Sequence, residues 1–280
     1  MPGRKRGRYL SYLITKASGE QEKFDVKKLK RSLSRAGASP KVIGEILDKI
    51  DGRPPFKTAK EIYQFARSFL KKHDHGVAGR YNLKNALREL GPSGYPFEKF
   101  VGEVFKQQGF AIKLNQFAKG KCISHELDVV LENDKHKAFI ECKFHNRQGL
   151  KTDVKVPMYV KARFEDFSEF SHVWVVTNTK FTRNAIRYGE CVGMKLMSWS
   201  YPRNNNLAQL IDKFGIHPVT ALTSLTKHHK KFLIERGVVL CSQLCKNKNV
   251  LKKLNLGDKK IERIITEAKD VCGLNKKEKE

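Results

Sequence analysis

Residues 125–145, HELDVVLENDKHKAFIECKFH, constrain this chain more than any other stretch. Two short runs of β-branched and large apolar residues, LDVVL and AFI, flank the polar turn ENDKHK, a pattern that predicts two adjacent β-strands paired through the turn. Both runs read as core, yet the first carries Glu126 and Asp128, and the second carries Glu141 with Lys143 two residues on. Residues two apart on a strand face the same side. Glu126 is therefore expected to share a face with Asp128, and Glu141 with Lys143, so that Asp128, Glu141 and Lys143 converge at one end of a sheet. Two carboxylates brought together repel unless a cation sits between them. A hard divalent ion with oxygen ligands answers that need, Mg²⁺ above all, with oxygens at roughly 2.0–2.1 Å. The carbonyl of Cys142 would complete the protein's part of the shell. Lys143 would then stand beside a metal-bound water, favouring hydroxide or steadying charge that develops on a phosphate. Glu126 is a rival to Asp128 for the metal. Taken alone, the same acids would serve equally well in ordinary salt bridges.

What such a centre would act on is suggested by charge. The formal net charge is +27 at pH 7, and Lys and Arg are spread along the whole chain. A polyanion is the expected partner, nucleic acid first. The 280 residues leave room for two or three small domains. No run approaches the ~18 apolar residues of a membrane span, and the basic start MPGRKRGRYLSYLITK lacks the apolar core of a signal peptide. A cytoplasmic protein with reduced thiols is expected, without a membrane partner. The cysteines at 122, 142, 191, 241, 245 and 272 form no CxxC pair, and no second Cys/His pair completes a zinc site around Cys241 and Cys245. The basic start reads as a flexible arm and the tail NKKEKE as disordered.

Three blocks follow along the chain, giving a multidomain α/β protein. In residues 9–90 a short β-hairpin around a Ser-Gly turn precedes helices: Val26, Leu29 and Leu33 recur at helical spacing with Gly37 as a C-cap, and SPKVIGEILDKI opens with a Ser cap and a first-turn Pro. Residues 91–202 open on a Gly/Pro/Ser-rich boundary. Phe97, Phe100, Val101, Val104 and Phe105 then mark one helical face, and the rest alternates strands and helices into a central mixed sheet flanked by helices. Residues 203–275 read as short amphipathic helices broken by Gly237 and Gly257.

Each block resembles a known family. The first resembles the ATP-cone, the regulatory nucleotide-binding module of ribonucleotide reductases and some repressors, through ITK at Lys16, Gly19, Glu22, FDVKK with Lys28, and KTAKEI at Thr58. The resemblance implies that Lys16, Lys28 and Arg31 meet triphosphate oxygens of ATP or dATP, with Glu22 and Thr58 in the same site. A family His four residues after that Thr is Ile62 here, and no GxxxxGK[ST] loop implies hydrolysis. In the second block, Asp128-x12-Glu141-x-Lys143 resembles the PD-(D/E)xK nucleases, specifically Mrr-type restriction endonucleases. GYPFEKFVGEVFKQQGF is similar to that family's Gly-x-x-Phe-Glu helix, and VWVVTNTKFTRNAIRYGECVGMKLM to its Thr-Asn and Phe-Thr segments. The resemblance implies Asp128 and Glu141 as metal ligands together with Cys142, Lys143 as the residue assisting the water, and Glu98 as an accessory acid. Many members carry Gln in the following helix, where this chain has Lys155, Lys161 and Arg163, so their DNA backbone contacts do not carry over. His125 and His145 are expected to flank the site. In the third block, LNLGDKKIERIITEA resembles a helix-hairpin-helix DNA-binding element.

The expected function is Mg²⁺-dependent cleavage of DNA, with nucleotide binding as a regulatory input and a homodimer as one way to cut both strands. A non-catalytic nucleotide-sensing DNA-binding regulator and a nuclease for RNA or branched DNA stay open at this point.

Overall fold

The computed structural model describes residues 12–51, 55–134 and 136–273, so the basic start and the NKKEKE tail lie outside the described residues. The chain divides into two compact units, Met1–Asn82 and Leu83–Glu280.

In the first unit, β1 (Leu13–Thr15) pairs antiparallel with β2 (Gln21–Lys23). The turn between them passes through Gly19 at φ 83°, a left-handed conformation that favours glycine. Four helices follow: α1 (Val26–Arg35), α2 (Pro40–Asp51), α3 (Ala59–His73) and α4 (His75–Tyr81). Side-chain caps fix where three of them start. Asp25 accepts from the Lys28 N–H, Thr58 and Glu61 form a capping box, and Asp74 accepts from the Val77 N–H. The stripe that the spacing predicts, Leu29 and Leu33, closes one core with Ile46, Ile50, Ile62, Ala66 and Leu70. The hairpin is fastened to the start of α3, because the Thr15 N–H donates to the Lys57 carbonyl at 2.9 Å.

The second unit begins earlier than the block boundary at residue 91 suggests. Leu83 and Leu87 of helix α5 (Leu83–Arg88), with Leu90 just after it, enter the same core as Phe97 and Phe100 of α6 (Tyr95–Lys106). Five strands form the central sheet: β3 (Ala111–Lys119), β4 (Ser124–Glu132), β5 (Lys137–Lys143), β7 (His172–Thr177) and β9 (Lys195–Met197), in that spatial order. The first two pairings are antiparallel and the last two parallel. Parallel neighbours need crossovers. These are α7 (Lys155–Glu165) between β5 and β7, and α8 (Arg183–Cys191) between β7 and β9. The short strands β6 (Lys151–Thr152) and β8 (Lys180–Phe181) pair beside them. One core packs α6 against Val129, Leu131 and Ile140, and another packs Val160 of α7 and Ala185 of α8 with Phe139 and Val175. Beta-branched runs buried on both faces account for the near-continuous apolar character of β4, β5 and β7.

The C-terminal helices α9 (Leu207–Phe214), α10 (Lys227–Glu235), α11 (Cys241–Lys246), α12 (Asn249–Lys252) and α13 (Asp258–Cys272) belong to this same compact unit. Polar ties run back to its front: Lys99 Nζ donates to the Gly237 carbonyl at 2.8 Å, and Thr220 Oγ1 to that of Ala86 at 2.7 Å. Buried Glu267 is satisfied by the N–H and hydroxyl of Thr223 and the N–H of Ser224. Among the described residues no helix is long and apolar enough to cross a membrane.

Candidate active site

The ladder between β4 and β5 runs from Glu132↔Lys137 to Val129↔Ile140 and stops there. Just beyond its end lie Asp128 and Glu141. The Cys142 N–H turns to the side chain of Asp128 and donates to Oδ2 at 2.7 Å. On the other side of β4, Asn115 of β3 takes a left-handed φ of 49°, and no partner pairing joins it to Asp128 although its neighbours Leu114 and Gln116 are paired. The alternation of β4 slips at this point. Leu127 packs with Val130 in the core under α7 and α8, while Val129 packs against α6. The simple two-residue rule therefore fails for Leu127 and Val129, because a left-handed residue in the neighbouring strand interrupts the pleat.

Glu141 is 6% exposed and has a cation on each oxygen. Lys143 Nζ lies 2.8 Å from Oε1, and Arg163 Nη1 donates to Oε2 at 2.5 Å. Arg163, itself 8% exposed, also donates through Nη2 to the Glu126 carbonyl. Its guanidinium lies 5.4 Å from the ring centre of Tyr159. Glu98 comes from the first turn of α6, where its carboxyl approaches Gly94 closely enough that a Cβ there would stand 3.0 Å from Oε1. A Cβ at Gly91 would stand 2.3 Å from the Phe144 ring, beside Lys143, so glycine is required there.

These groups perturb one another. Burial, then the charge of Asp128, pushes Glu98 up to about 7 against a bond to Asn115, and Glu126 and Glu141 add to the rise. Burial, then the charge of Glu141, raises Asp128 to about 6, although the Cys142 N–H and the cations Lys143 and Arg163 pull the other way. Burial draws the Lys143 ammonium down, but Glu141 and Asp128 outweigh it and its pKa ends above the ordinary lysine value. The structure thus brings Glu98, Asp128, Glu141 and Lys143 to one place. The Cys142 thiol is kept neutral by burial, which leaves its carbonyl as the donor atom to consider.

Two half-buried acids with raised pKa values mark a place short of positive charge. Their donor atoms are all oxygen, which fits a hard divalent cation. Among the described residues no group of three or more His, Cys, Asp and Glu side chains is set to hold a metal ion. A shell of Asp128, Glu141 and one carbonyl, with water or phosphate in the remaining positions, is what Mg²⁺ prefers.

Next to Lys143 the chain is pinned. The Asn178 side chain accepts from the His145 N–H at 2.9 Å and donates to its carbonyl at 2.9 Å. His145 Nε2 meets Thr152 Oγ1 at 3.1 Å, which continues to Thr177. Burial and the Lys143 charge keep its imidazole below the ordinary histidine value. Asn178→Ala should lower unfolding stability by about 1–2 kcal/mol, because it leaves the half-buried N–H and carbonyl of His145 without their side-chain partner; chemical denaturation measures this. His125 acts elsewhere, on the β3–β4 loop. Its Nε2 lies 2.8 Å from Asp166 Oδ2, and that carboxylate also accepts from the N–H groups of Cys122 and Ile123, tying the loop down. Spacing alone did not single out Arg163, Asn115 or Asn178 as members of the centre. For Arg163 the available signal is its position three residues after buried Val160, on the inner face of α7.

In the first unit, Glu22 lies between Lys16 at 3.1 Å and Lys28 at 3.2 Å, and burial of Glu22 is outweighed by those two lysines, so its pKa falls. Thr58 stands next to this group through its bridge to Thr15, and its hydroxyl accepts from the Glu61 N–H at 3.1 Å. Arg31 instead lines a cleft between α1 and α2.

Residues 90–200 match the restriction endonuclease family and residues 217–272 the family described as AF1548-like, C-terminal. An uncharacterized protein of Archaeoglobus fulgidus is 37% identical over 176 residues, 62% of this chain and 100% of that protein. The crystal structure of the protein of unknown function AF1548 superposes with a TM-score of 0.55 at 36% identity, covering 65% of this chain and 99% of that one.

Proposed function

Because the chain belongs to the AF1548-like family and carries a restriction endonuclease domain ahead of the C-terminal one, we propose that it is a Mg²⁺-dependent endodeoxyribonuclease of Mrr type. The observation that carries this reading is the meeting of Glu98, Asp128, Glu141 and Lys143 at the open end of the β4–β5 ladder. Asp128, Glu141 and the Cys142 carbonyl would hold the ion. When bound, the ion lowers the pKa of its water and polarises a phosphoryl oxygen. Arg163 holds the Glu141 carboxylate in place. Lys143 presents its ammonium to the attacked phosphate and steadies the charge that builds there. Glu98, with its pKa near neutrality, is suited to receive the proton that the attacking water gives up. The net charge of +27 favours a polyanionic substrate. The turn from α12 into α13 at Gly257 would offer backbone N–H groups to a DNA phosphate, and two copies of the chain would serve the two strands. Plasmid cleavage with Mg²⁺ and with EDTA tests the reading: equal nicking under both conditions rejects it.

The Lys16–Glu22–Lys28 group with Thr58 is the part of the first unit that favours a regulatory ATP or dATP site of the ATP-cone kind. Phosphate oxygens would take over from Glu22 as the partners of the two lysines. Lys16→Ala and Lys28→Ala are expected to weaken ATP binding by about tenfold or more, since each removes a charge-assisted contact. Unchanged affinity in calorimetry would remove both lysines from the site.

The raised acids also give a pH signature. Glu98 folded titrates near 7 against an ordinary 4.5, so the folded form holds the proton more tightly across that window. Stability must then fall as pH climbs through the window and be free of the penalty below it. In EDTA, Glu98→Gln should flatten the fall in melting temperature that the wild-type protein shows between these pH values. Parallel curves for the two proteins would mean that Glu98 is not the group responsible.

A further inference from the structure

Helices α1 and α2 of the first unit are joined through Gly37 at φ 86°, and between them lies an open cleft of about 670 Å³. One wall belongs to α1 and carries Lys30, Arg31, Ser34 and Arg35. No carboxylate is among the described residues that line it. The other wall is one stripe of α2, Pro40, Ile43, Gly44 and Leu47, at the i, i+3, i+4, i+7 spacing of a single helix face.

Gly44 is the informative residue. It lies inside a helix of 12 residues, where glycine costs about 1 kcal/mol relative to alanine. Nothing demands that loss from below, because a Cβ at Gly44 would meet no atom within 4 Å. The empty position leaves a flat apolar floor between Ile43 and Leu47. At its end, the N-terminal turn of α2 opens on the same cleft, and the Ser39 hydroxyl accepts the Val42 N–H at 3.3 Å. The positive end of the helix dipole thus adds to the charge of Arg31 and Arg35.

A wall of cations facing an apolar floor suits a ligand with a phosphate at one side and a flat ring at the other, and the volume falls in the range of small-molecule sites. We propose that this cleft binds a nucleotide, its phosphate held by Arg31 and Arg35 near the start of α2 and its base lying over Gly44. The site is separate from the Lys16–Glu22–Lys28 group and does not rest on what that group binds.

The test is equilibrium binding of AMP to the full chain, with inorganic phosphate and a short DNA duplex as competitors. Gly44→Leu fills the floor with a better helix former, so the fold should survive, as circular dichroism would register. It should weaken AMP about tenfold or more, as should Arg31→Glu. AMP binding is read in a chain that also carries Lys16→Ala and Lys28→Ala, so that the other group does not contribute to it. No AMP binding, or AMP binding indifferent to Gly44→Leu, overturns the proposal. Phosphate competing as strongly as AMP would overturn the role of the floor. If Gly44→Leu and Arg31→Glu weaken the duplex and not AMP, the cleft is a nucleic-acid groove and the proposal fails.

Discussion

Lys143→Ala is expected to reduce DNA cleavage by about 10²–10³-fold while Mg²⁺ binds at least as tightly as before. The two effects separate because Lys143 plays against the metal in the resting site. Its ammonium lies 2.8 Å from Glu141 Oε1, and Arg163 already occupies Oε2. A cation arriving at Glu141 meets two like-charged neighbours, and the less firmly held of them yields to it. Arg163 is 8% exposed and also bound to the Glu126 carbonyl, whereas the Lys143 side chain is 37% exposed. Lys143 is the one able to swing, and the direction open to it is toward substrate phosphate. Alanine removes a like charge from the metal's surroundings and removes the donor that steadies the transition state. Calorimetric Mg²⁺ titration beside a nicking assay reads both quantities. Undiminished cleavage by the variant would take Lys143 out of the chemistry, and a collapse of Mg²⁺ affinity would make it a prop for Glu141 instead.

Asp128→Asn should abolish cleavage, by more than about 10³-fold, and still make the metal-free protein more stable at neutral pH. Asparagine keeps an oxygen to accept the Cys142 N–H, which now donates to Asp128 at 2.7 Å. It does not keep the charge. Asp128 folded has a pKa of about 6 against an ordinary 3.8, so burying it ionised costs stability. The sign follows from proton binding: between those values the folded protein holds a proton that the unfolded chain has released, and stability declines as pH rises. The penalty is complete above the higher value and absent below the lower one. Melting curves in EDTA should therefore show the variant above wild type at pH of about 8 and level with it at pH of about 3.5. A variant that melts lower at the alkaline end would mean that the carboxylate is held by a favourable charge environment and not by a want of cation.

Much of the fold was legible because it depends on short periods. The apolar runs LDVVL and AFI became β4 and β5, and the phenylalanines and valines of GYPFEKFVGEVF became the inner face of α6. The Gly37 turn after α1 and the Ser39 and Pro40 start of α2 stand where the spacing predicts them. The division of the chain was less legible. Leu83, Leu87 and Leu90 have the same helical spacing whichever core they join, and only packing against Phe97 and Phe100 assigns α5 to the second unit. The candidate centre divides in the same way. Asp128, Glu141 and Lys143 could be named from their spacing on two strands. Arg163 could not, since it reaches Glu141 from a helix 22 residues further along.

The sequence by itself determined which residues could carry the chemistry: acids and a lysine set into strands, a basic chain around them, and glycines where side chains would collide. Tertiary structure alone decided their charge states and their geometry. The left-handed turn of Asn115 breaks the pleat beside Asp128, and the guanidinium of Arg163 arrives from α7 to hold Glu141. Side-chain period is a local property, readable along one strand, whereas desolvation and Coulomb interaction depend on what the rest of the chain brings near.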